Sequence, residues 1–217
     1  GHGLTGPHPN DDYSAGGMAQ ALDEVMGELG IERAVLIGNS MGGWVSWRYA
    51  LENPELVKAL VLMDASGAPT KESPPLNLGF RLIQNPITRP LTEHITPRFL
   101  VKKSLEQTVA KPEIIDEDTV DTYWELLRFP GNRKATSIRA VSSREPEYGE
   151  RLPEIDTPSL ILWGEDDRLI YVSSARDLDR ALPNSELIIY ENTGHIPMFE
   201  IPRKTADDVL KFLEGLN

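Results

Sequence analysis

The hydrophobic positions between residues 15 and 67 follow two alternating spacings. In AGGMAQALDEVMGELG, apolar residues recur three or four positions apart, which predicts a helix that ends near Gly30. The run RAVLIGNS comes next, and its short, continuous apolar stretch predicts a strand buried on both faces. A helical segment, GGWVSWRYALEN, and a second apolar run, VKALVLMDAS, repeat the pattern. This region therefore predicts helix, strand, helix and strand, in that order.

The same alternation returns near the end of the sequence. Strand, helix, strand and helix are predicted in turn for PSLILWGEDD, SSARDLDRALP, SELIIYENTG and RKTADDVLKFLEGL. Strands that alternate with helices indicate a parallel sheet with helices on both faces. The predicted fold class is therefore α/β, with a mostly parallel sheet.

Residues 68–150 depart from this alternation. They are rich in proline and charge, and they contain helical patterns such as DEDTVDTYWELLRF and NRKATSIRAVSS without a convincing strand. We interpret them as a helical insertion between two strands of the sheet. The predicted organisation is a core of residues 1–67 and 151–217, with a helical cap or lid over 68–150.

Composition and charge exclude several classes of protein. The 217 residues include 34 acidic and 22 basic side chains, a net charge of −12, which argues against nucleic acid or an anionic membrane as the main partner. No apolar run approaches the roughly 20 residues of a membrane span, and no signal segment is visible, so we expect a cytoplasmic protein. The absence of cysteine rules out disulfides, thiolate catalysis and cysteine-ligated zinc.

The stretch VLIGNSMGG carries a candidate nucleophile. Its Gly-x-Ser-x-Gly pattern places Ser40 between a predicted strand and a predicted helix. In this setting, a sharp turn exposes the hydroxyl, and the N–H of Met41 at the helix start can stabilise a developing oxyanion. The alternative is a glycine-rich turn in which Ser40 only caps the helix.

A serine hydroxyl needs a base to take its proton and an acid to orient that base. Of the four histidines, His195 follows the last predicted strand, where parallel-sheet proteins place catalytic loops. The chain order Ser40, Asp167, His195 is that of one known catalytic triad. The strand end that carries Asp167 also offers Glu165 and Asp166, and the end of another predicted strand offers Asp64.

The motifs GNSMGG, WGEDDRL, GHIPMFEIP and GHGLTG together resemble the α/β-hydrolase superfamily, and within it the serine esterases and carbon–carbon hydrolases with a helical cap. The resemblance implies an α/β-hydrolase fold in which Ser40 is the nucleophile, Asp167 the acid and His195 the base. It implies no metal and no organic cofactor.

The resemblance also bears on the opening loop. In such proteins GHGLTG follows the fourth strand, so the first four strands and first helix are expected to be missing from this chain. A second oxyanion donor would come from that missing part. The strand AVLIGN would then be an exposed edge, which raises the possibility of a homo-oligomer.

We expect two-step acyl transfer on carboxylic esters of small or medium size, or on related small acyl substrates. One alternative is carbon–carbon hydrolysis of aromatic ring-cleavage products. The motif GNSMGG resembles that of such hydrolases, whereas the residues after His195, Ile196 and Pro197, are similar to those of many general esterases. Asn39 is a candidate substrate contact or simply a small polar residue in a tight turn. The other alternative is a non-catalytic binding protein or an inactive fragment.

Overall fold

The computed structural model describes residues 2–70, 72, 74–75, 78–142 and 146–216. Its sheet has four parallel strands in the order β1-β2-β3-β4. The strands are β1 (Ala34–Asn39), β2 (Val57–Met63), β3 (Ser159–Gly164) and β4 (Ser185–Tyr190). The predicted parallel sheet is confirmed, and the C-terminal ends of all four strands lie at one edge, called here the carboxyl edge.

Helices connect the strands and cover the sheet. Outside the insertion they are α1 (Ala15–Glu28), α2 (Met41–Glu52), α9 (Val172–Ala181), α10 (Pro197–Glu200) and α11 (Pro202–Glu214). Between β2 and β3 lie α3 (Leu78–Gln84), α4 (Arg89–Thr92), α5 (Arg98–Glu106), α6 (Glu117–Arg128), α7 (Asn132–Val141) and α8 (Pro146–Gly149). None of the described residues between β2 and β3 lies in a strand, as the sequence predicts.

The alternation of side chains along β2 fills two cores. Leu60 and Leu62 join a cluster on one face with Trp47, Trp163 and Leu178. The opposite face buries Val61, Met63, Leu162, Tyr190 and Val209. Burying each large apolar side chain stabilises the fold by roughly 1.5–3 kcal/mol, so the strands are held in place from both sides.

The strand β1 differs from the burial on both faces that its apolar run predicts, and it agrees with the exposed edge that the resemblance implies. It pairs with β2 alone, so it forms an edge of the described sheet, and the side chain of Ile37 is 53% exposed. Its neighbours Leu36 and Gly38 point to the other face and are buried. The apolar run predicts the strand correctly, but the exposure of one face depends on its position in the sheet.

The helices that the structure describes include none with both the length and the apolar character needed to cross a bilayer.

Candidate active site

The turn between β1 and α2 holds Ser40 in a strained backbone conformation. Ser40 has φ +52° and ψ −114°, a conformation that non-glycine residues rarely adopt. Its N–H donates to the carbonyl of Met63 over 2.9 Å, which fixes the turn at the carboxyl edge.

Two glycines allow the backbone of this turn to pack closely. A side chain at Gly38 would place its Cβ 2.3 Å from the Gly42 carbonyl, and one at Gly43 would place it 2.5 Å from the Ala65 Cβ. These close contacts explain why the tight turn requires glycine at both positions.

Met41 is the first residue of α2. Backbone N–H groups at this end of a helix have no intrahelical acceptor, and the helix dipole favours negative charge there. Arg139 of α7 contacts the Met41 sulfur and lies 5.1 Å from the centre of the Trp44 ring. A helix from the segment between β2 and β3 therefore lies against the turn at Ser40.

The predicted acid and base are in direct contact. His195 Nδ1 lies 2.7 Å from Asp167 Oδ2, and both side chains are buried. The other oxygen, Asp167 Oδ1, accepts N–H groups of Leu169 at 2.7 Å and Ile170 at 3.0 Å. The carboxylate is therefore oriented from two sides, and it favours the histidine tautomer with the proton on Nδ1, which leaves Nε2 as the basic atom.

The two acids that precede Asp167 in the same turn, Glu165 and Asp166, are not buried as Asp167 is. Glu165 and Asp166 are exposed, whereas Asp167 is 4% exposed. Among the acidic residues of this turn, the structure thus brings Asp167 to His195.

Asn39 connects the turn at Ser40 with the loop after β4 that carries His195, called here the histidine loop. Its side-chain nitrogen donates to the carbonyl of His195 at 2.9 Å and to that of Met63 at 3.1 Å. Both amide hydrogens are therefore directed at backbone oxygens. A contact of Asn39 with substrate stays a prediction.

The histidine loop is also attached to the inserted segment. The His195 N–H donates to the carbonyl of Thr108 at 2.7 Å. Glu200 accepts the N–H of Gly194 at 2.7 Å with one oxygen and that of Ala110 at 2.8 Å with the other. Burial raises the pKa of Glu200. Glu200 lies in the motif GHIPMFEIP, but the sequence alone does not indicate this bridging position.

Asp64 is a second buried carboxyl at the carboxyl edge. It follows β2, it has no solvent exposure, and its Oδ1 accepts the N–H of Gly164 at 2.9 Å. Burial, and then the negative charge of Asp167, raise the pKa of Asp64 well above its ordinary value. The sequence makes Asp64 a candidate acid, but it does not indicate that Asp64 lies close to Asp167.

Asp64, Asp167 and His195 also form a group that could hold a metal ion. One ligand atom from each lies within 4.8 Å of the others, among the residues described. The hydrogen bond between His195 and Asp167 already joins two of the three, which suits proton transfer. The absence of a metal or cofactor requirement stays a prediction.

Known proteins share this architecture over nearly the whole chain. The sequence profile described as "Alpha/beta hydrolase family" matches residues 1–208. A 2-hydroxy-6-oxononadienedioate/2-hydroxy-6-oxononatrienedioate hydrolase of Paraburkholderia phymatum is 32% identical over 199 residues, covering 90% of this chain and 67% of that protein.

Solved structures are similar as well. A meta-cleavage product hydrolase from Pseudomonas fluorescens has a TM-score of 0.81 at 20% identity, over 99% of this chain and 77% of that one. A thermophilic esterase from Thermogutta terrifontis has a TM-score of 0.73 at 20% identity, over 94% and 73% of the two chains. The predicted fold is thus confirmed, and the chain belongs to the α/β hydrolase family.

Proposed function

We propose that this hydrolase uses Ser40 as nucleophile, His195 as base and Asp167 as orienting acid, and that it cleaves a carbon–carbon bond beside the ketone of a ring-cleavage product. The observation that carries the proposal is the buried 2.7 Å contact between His195 Nδ1 and Asp167 Oδ2. Asn39 supports the proposal as well. It directly precedes Ser40, and its side chain is hydrogen-bonded to the backbone carbonyl of His195.

The first half of the reaction forms an acyl-enzyme. Ser40 Oγ adds to the ketone carbon while its proton passes to His195 Nε2. The oxyanion is stabilised by the N–H of Met41 at the start of α2. The carbon–carbon bond then breaks, and the departing carbon takes the electron pair and the proton from His195.

The second half releases the acyl group. His195 removes a proton from water, and the resulting hydroxide adds to the acyl carbon. Ser40 then leaves and recovers its proton, so a carboxylic acid is released and the enzyme returns to its starting state. Asp167 stabilises the imidazolium in both halves.

Two observations favour carbon–carbon cleavage over ester cleavage. The relative from Paraburkholderia phymatum is named for a dicarboxylate substrate with this chemistry. In this chain, Arg139 places a positive charge against Met41, next to the nucleophile. A guanidinium at that position suits a substrate carboxylate. Residues 68–150, which supply Arg139, would accordingly act as a cap over the site.

Carboxylic ester hydrolysis is the second candidate. Ile196, the residue after the base, packs against the apolar cluster of Leu105, Val109, Ile115 and Val120 from the insertion. The wall beside His195 is thus aliphatic, which suits the apolar acyl chain of an ester. The same triad would perform this reaction with an alcohol as the leaving group.

The experiment compares two substrates on one preparation. The purified protein and a Ser40→Ala variant are assayed with 2-hydroxy-6-oxohepta-2,4-dienoate and with p-nitrophenyl butyrate, and both are treated with a fluorophosphonate. We expect a higher kcat/KM for the dienoate and a fluorophosphonate adduct that disappears in the variant. A higher value for the ester would favour the second candidate. No turnover and no adduct would contradict the hydrolase proposal and favour a binding protein.

Arg139→Gln separates the candidates further. If the guanidinium binds a substrate carboxylate, KM for the dienoate should rise about tenfold while KM for the neutral ester changes little. Arg128→Gln is the matched control, since Arg128 stacks on Trp124 at 4.3 Å within the insertion. Equal effects on both substrates would contradict a role for Arg139 in binding the carboxylate.

A further inference from the structure

Asp64 occupies the centre of the carboxyl edge. It directly follows β2, whose neighbours in the sheet are β1, before Ser40, and β3, before Asp167. Its backbone N–H donates to the carbonyl of Leu162 over 2.9 Å, and its φ is +44°, in the left-handed region. Non-glycine residues in this region are uncommon and concentrate at functional sites, which makes this side chain notable.

The two oxygens of Asp64 have different surroundings. Oδ1 accepts the N–H of Gly164, whereas Oδ2 is buried and has no donor among the described residues. One carboxyl oxygen of Asp64 and one ligand atom each of Asp167 and His195 lie within 4.8 Å of one another. A buried carboxylate oxygen without a donor is costly, because nothing replaces the water it has lost.

Among the residues that the structure describes, the groups that act on Asp64 supply no positive charge that would keep it ionised. The charges that act on it most strongly are those of Asp167 and Glu200, both acidic. Tyr190, the last residue of β4, donates its hydroxyl to Asp208 at 2.8 Å. Burial raises the pKa of Tyr190, so its side chain stays neutral. His195 is directed to Asp167 by its own hydrogen bond. Two buried carboxyls this close cannot both be ionised at low cost.

We propose that Asp64 is a neutral carboxylic acid that donates its proton in a hydrogen bond to the Asp167 carboxylate and so positions that carboxylate for His195. Asp64 is thus a positioning residue, and its effect on turnover rests on the triad proposed above. Asp167 would then be held by Leu169, Ile170, His195 and Asp64 together. This arrangement keeps the carboxylate charge facing the imidazole.

The direct test is infrared spectroscopy of the intact chain. A neutral carboxylic acid has a C=O stretch that is distinct from carboxylate bands and shifts in D2O. We expect this band at neutral pH in the unmodified protein and in Asp166→Asn, and its loss in Asp64→Asn. Asp166 is the matched control, because it is an exposed carboxyl of the neighbouring turn. Absence of the band in the unmodified protein, or its persistence in Asp64→Asn, would overturn the proposal.

The pH profile of kcat/KM gives a second readout that a purely structural role would not move. Asparagine tolerates a positive φ, can accept the Gly164 N–H and can donate to Asp167. For Asp64→Asn we therefore expect kcat/KM within about threefold of the unmodified protein and an acid limb at the same pH. If Asp64 were ionised, its replacement would remove a negative charge near His195, and the acid limb would move to lower pH. That shift would contradict the proposal.

Removal of the donor should have a larger effect. Asp64→Gly tolerates the backbone conformation but leaves Asp167 without this hydrogen bond, so kcat should fall about tenfold with KM less affected. Circular dichroism checks that this variant is folded, and recovery of activity in Asp64→Asn separates the lost donor from the lost carboxyl. Equal activity of the glycine and asparagine variants would contradict the positioning role.

The infrared measurement also separates this proposal from the proposed function, because the band does not require turnover. If the band is present but the protein hydrolyses neither substrate, the proton on Asp64 is established and the proposed function fails.

Discussion

The side-chain amide of Asn39 donates a hydrogen bond of 2.9 Å to the backbone carbonyl of His195, 156 residues farther along the chain. The same amide reaches the carbonyl of Met63. One polar side chain thus connects the ends of β1 and β2 with the loop after β4. Since Asn39 directly precedes Ser40, this connection holds the backbone of the proposed base close to that of the proposed nucleophile.

Asn39→Ala should therefore lower turnover more than substrate binding. We expect kcat to fall about tenfold with a smaller change in KM, and the free energy of unfolding to fall by about 1–3 kcal/mol, because two carbonyls lose their donor. Steady-state kinetics and urea unfolding measure the two effects. Asn53→Ala is the matched control, since Asn53 also donates to a backbone carbonyl, that of Tyr49. A rise in KM alone would instead indicate that Asn39 contacts the substrate.

Glu200→Gln should loosen the attachment of the histidine loop to the insertion. Glutamine has one acceptor oxygen, so its NH2 group would face either the Gly194 or the Ala110 N–H, both now bound to Glu200. We expect a loss of about 1–3 kcal/mol in unfolding free energy and a lower kcat. Glu191→Gln, at an exposed carboxyl of the same loop, should change neither quantity. Equal stability of the two variants would argue against the bridging role.

Gly38→Ala and Gly42→Ala should differ, although both glycines belong to the Gly-x-Ser-x-Gly pattern. A Cβ at Gly38 would lie 2.3 Å from backbone atoms of Gly42, whereas one at Gly42 would meet nothing within 4 Å. Gly38→Ala should lower the free energy of unfolding by about 1–3 kcal/mol or more. Gly42→Ala, at a helical position, should be neutral or stabilising by up to about 1 kcal/mol. Thermal unfolding of both variants tests this, and equal melting temperatures would contradict it.

Stability should depend on pH through Asp64. Its pKa is raised in the folded protein by burial and by Asp167, so the native state holds this proton more tightly than the unfolded chain. The stability contributed by the neutral form is complete below the unfolded pKa and declines as pH rises from there through the folded pKa.

Asp64→Asn removes this dependence. Above about pH 4, the variant should gain stability relative to the unmodified protein, by up to about 1.4 kcal/mol per pH unit until the folded pKa is reached. Urea unfolding between pH 4 and pH 8 measures the difference, with Asp166→Asn as the control. A difference that stays constant, or that falls as pH rises, would contradict the neutral carboxyl.

Sequence patterns predicted the parts of this structure that depend on local order. The apolar runs predicted all four strands, and the spacing around Ser40 predicted the turn that the structure shows. The stretch after β3 offers three consecutive acids, of which the resemblance implies Asp167. The structure buries Asp167 against His195 and leaves Glu165 and Asp166 exposed.

Relations between distant segments were beyond such patterns. The proximity of Asp64 to Asp167, and the bridge from Glu200 to Ala110, each join segments that are far apart along the chain. The exposure of Ile37 follows from the place of β1 at the edge of the described sheet. The apolar run alone does not predict it, whereas the resemblance implies an exposed edge here.

The order of strands in the sheet, β1-β2-β3-β4, equals their order along the chain, and this has a consequence for folding. Each strand can be added to its predecessor, so the sheet can grow in one direction. The costly step is the pairing of β2 with β3, because the insertion separates Met63 from Ser159 by 96 positions (159 − 63). By loop-closure entropy this costs about 2 kcal/mol more than a ten-residue connection. The Ser40 turn can thus form early and locally, whereas the proposed acid and base reach it only after the longest loop has closed.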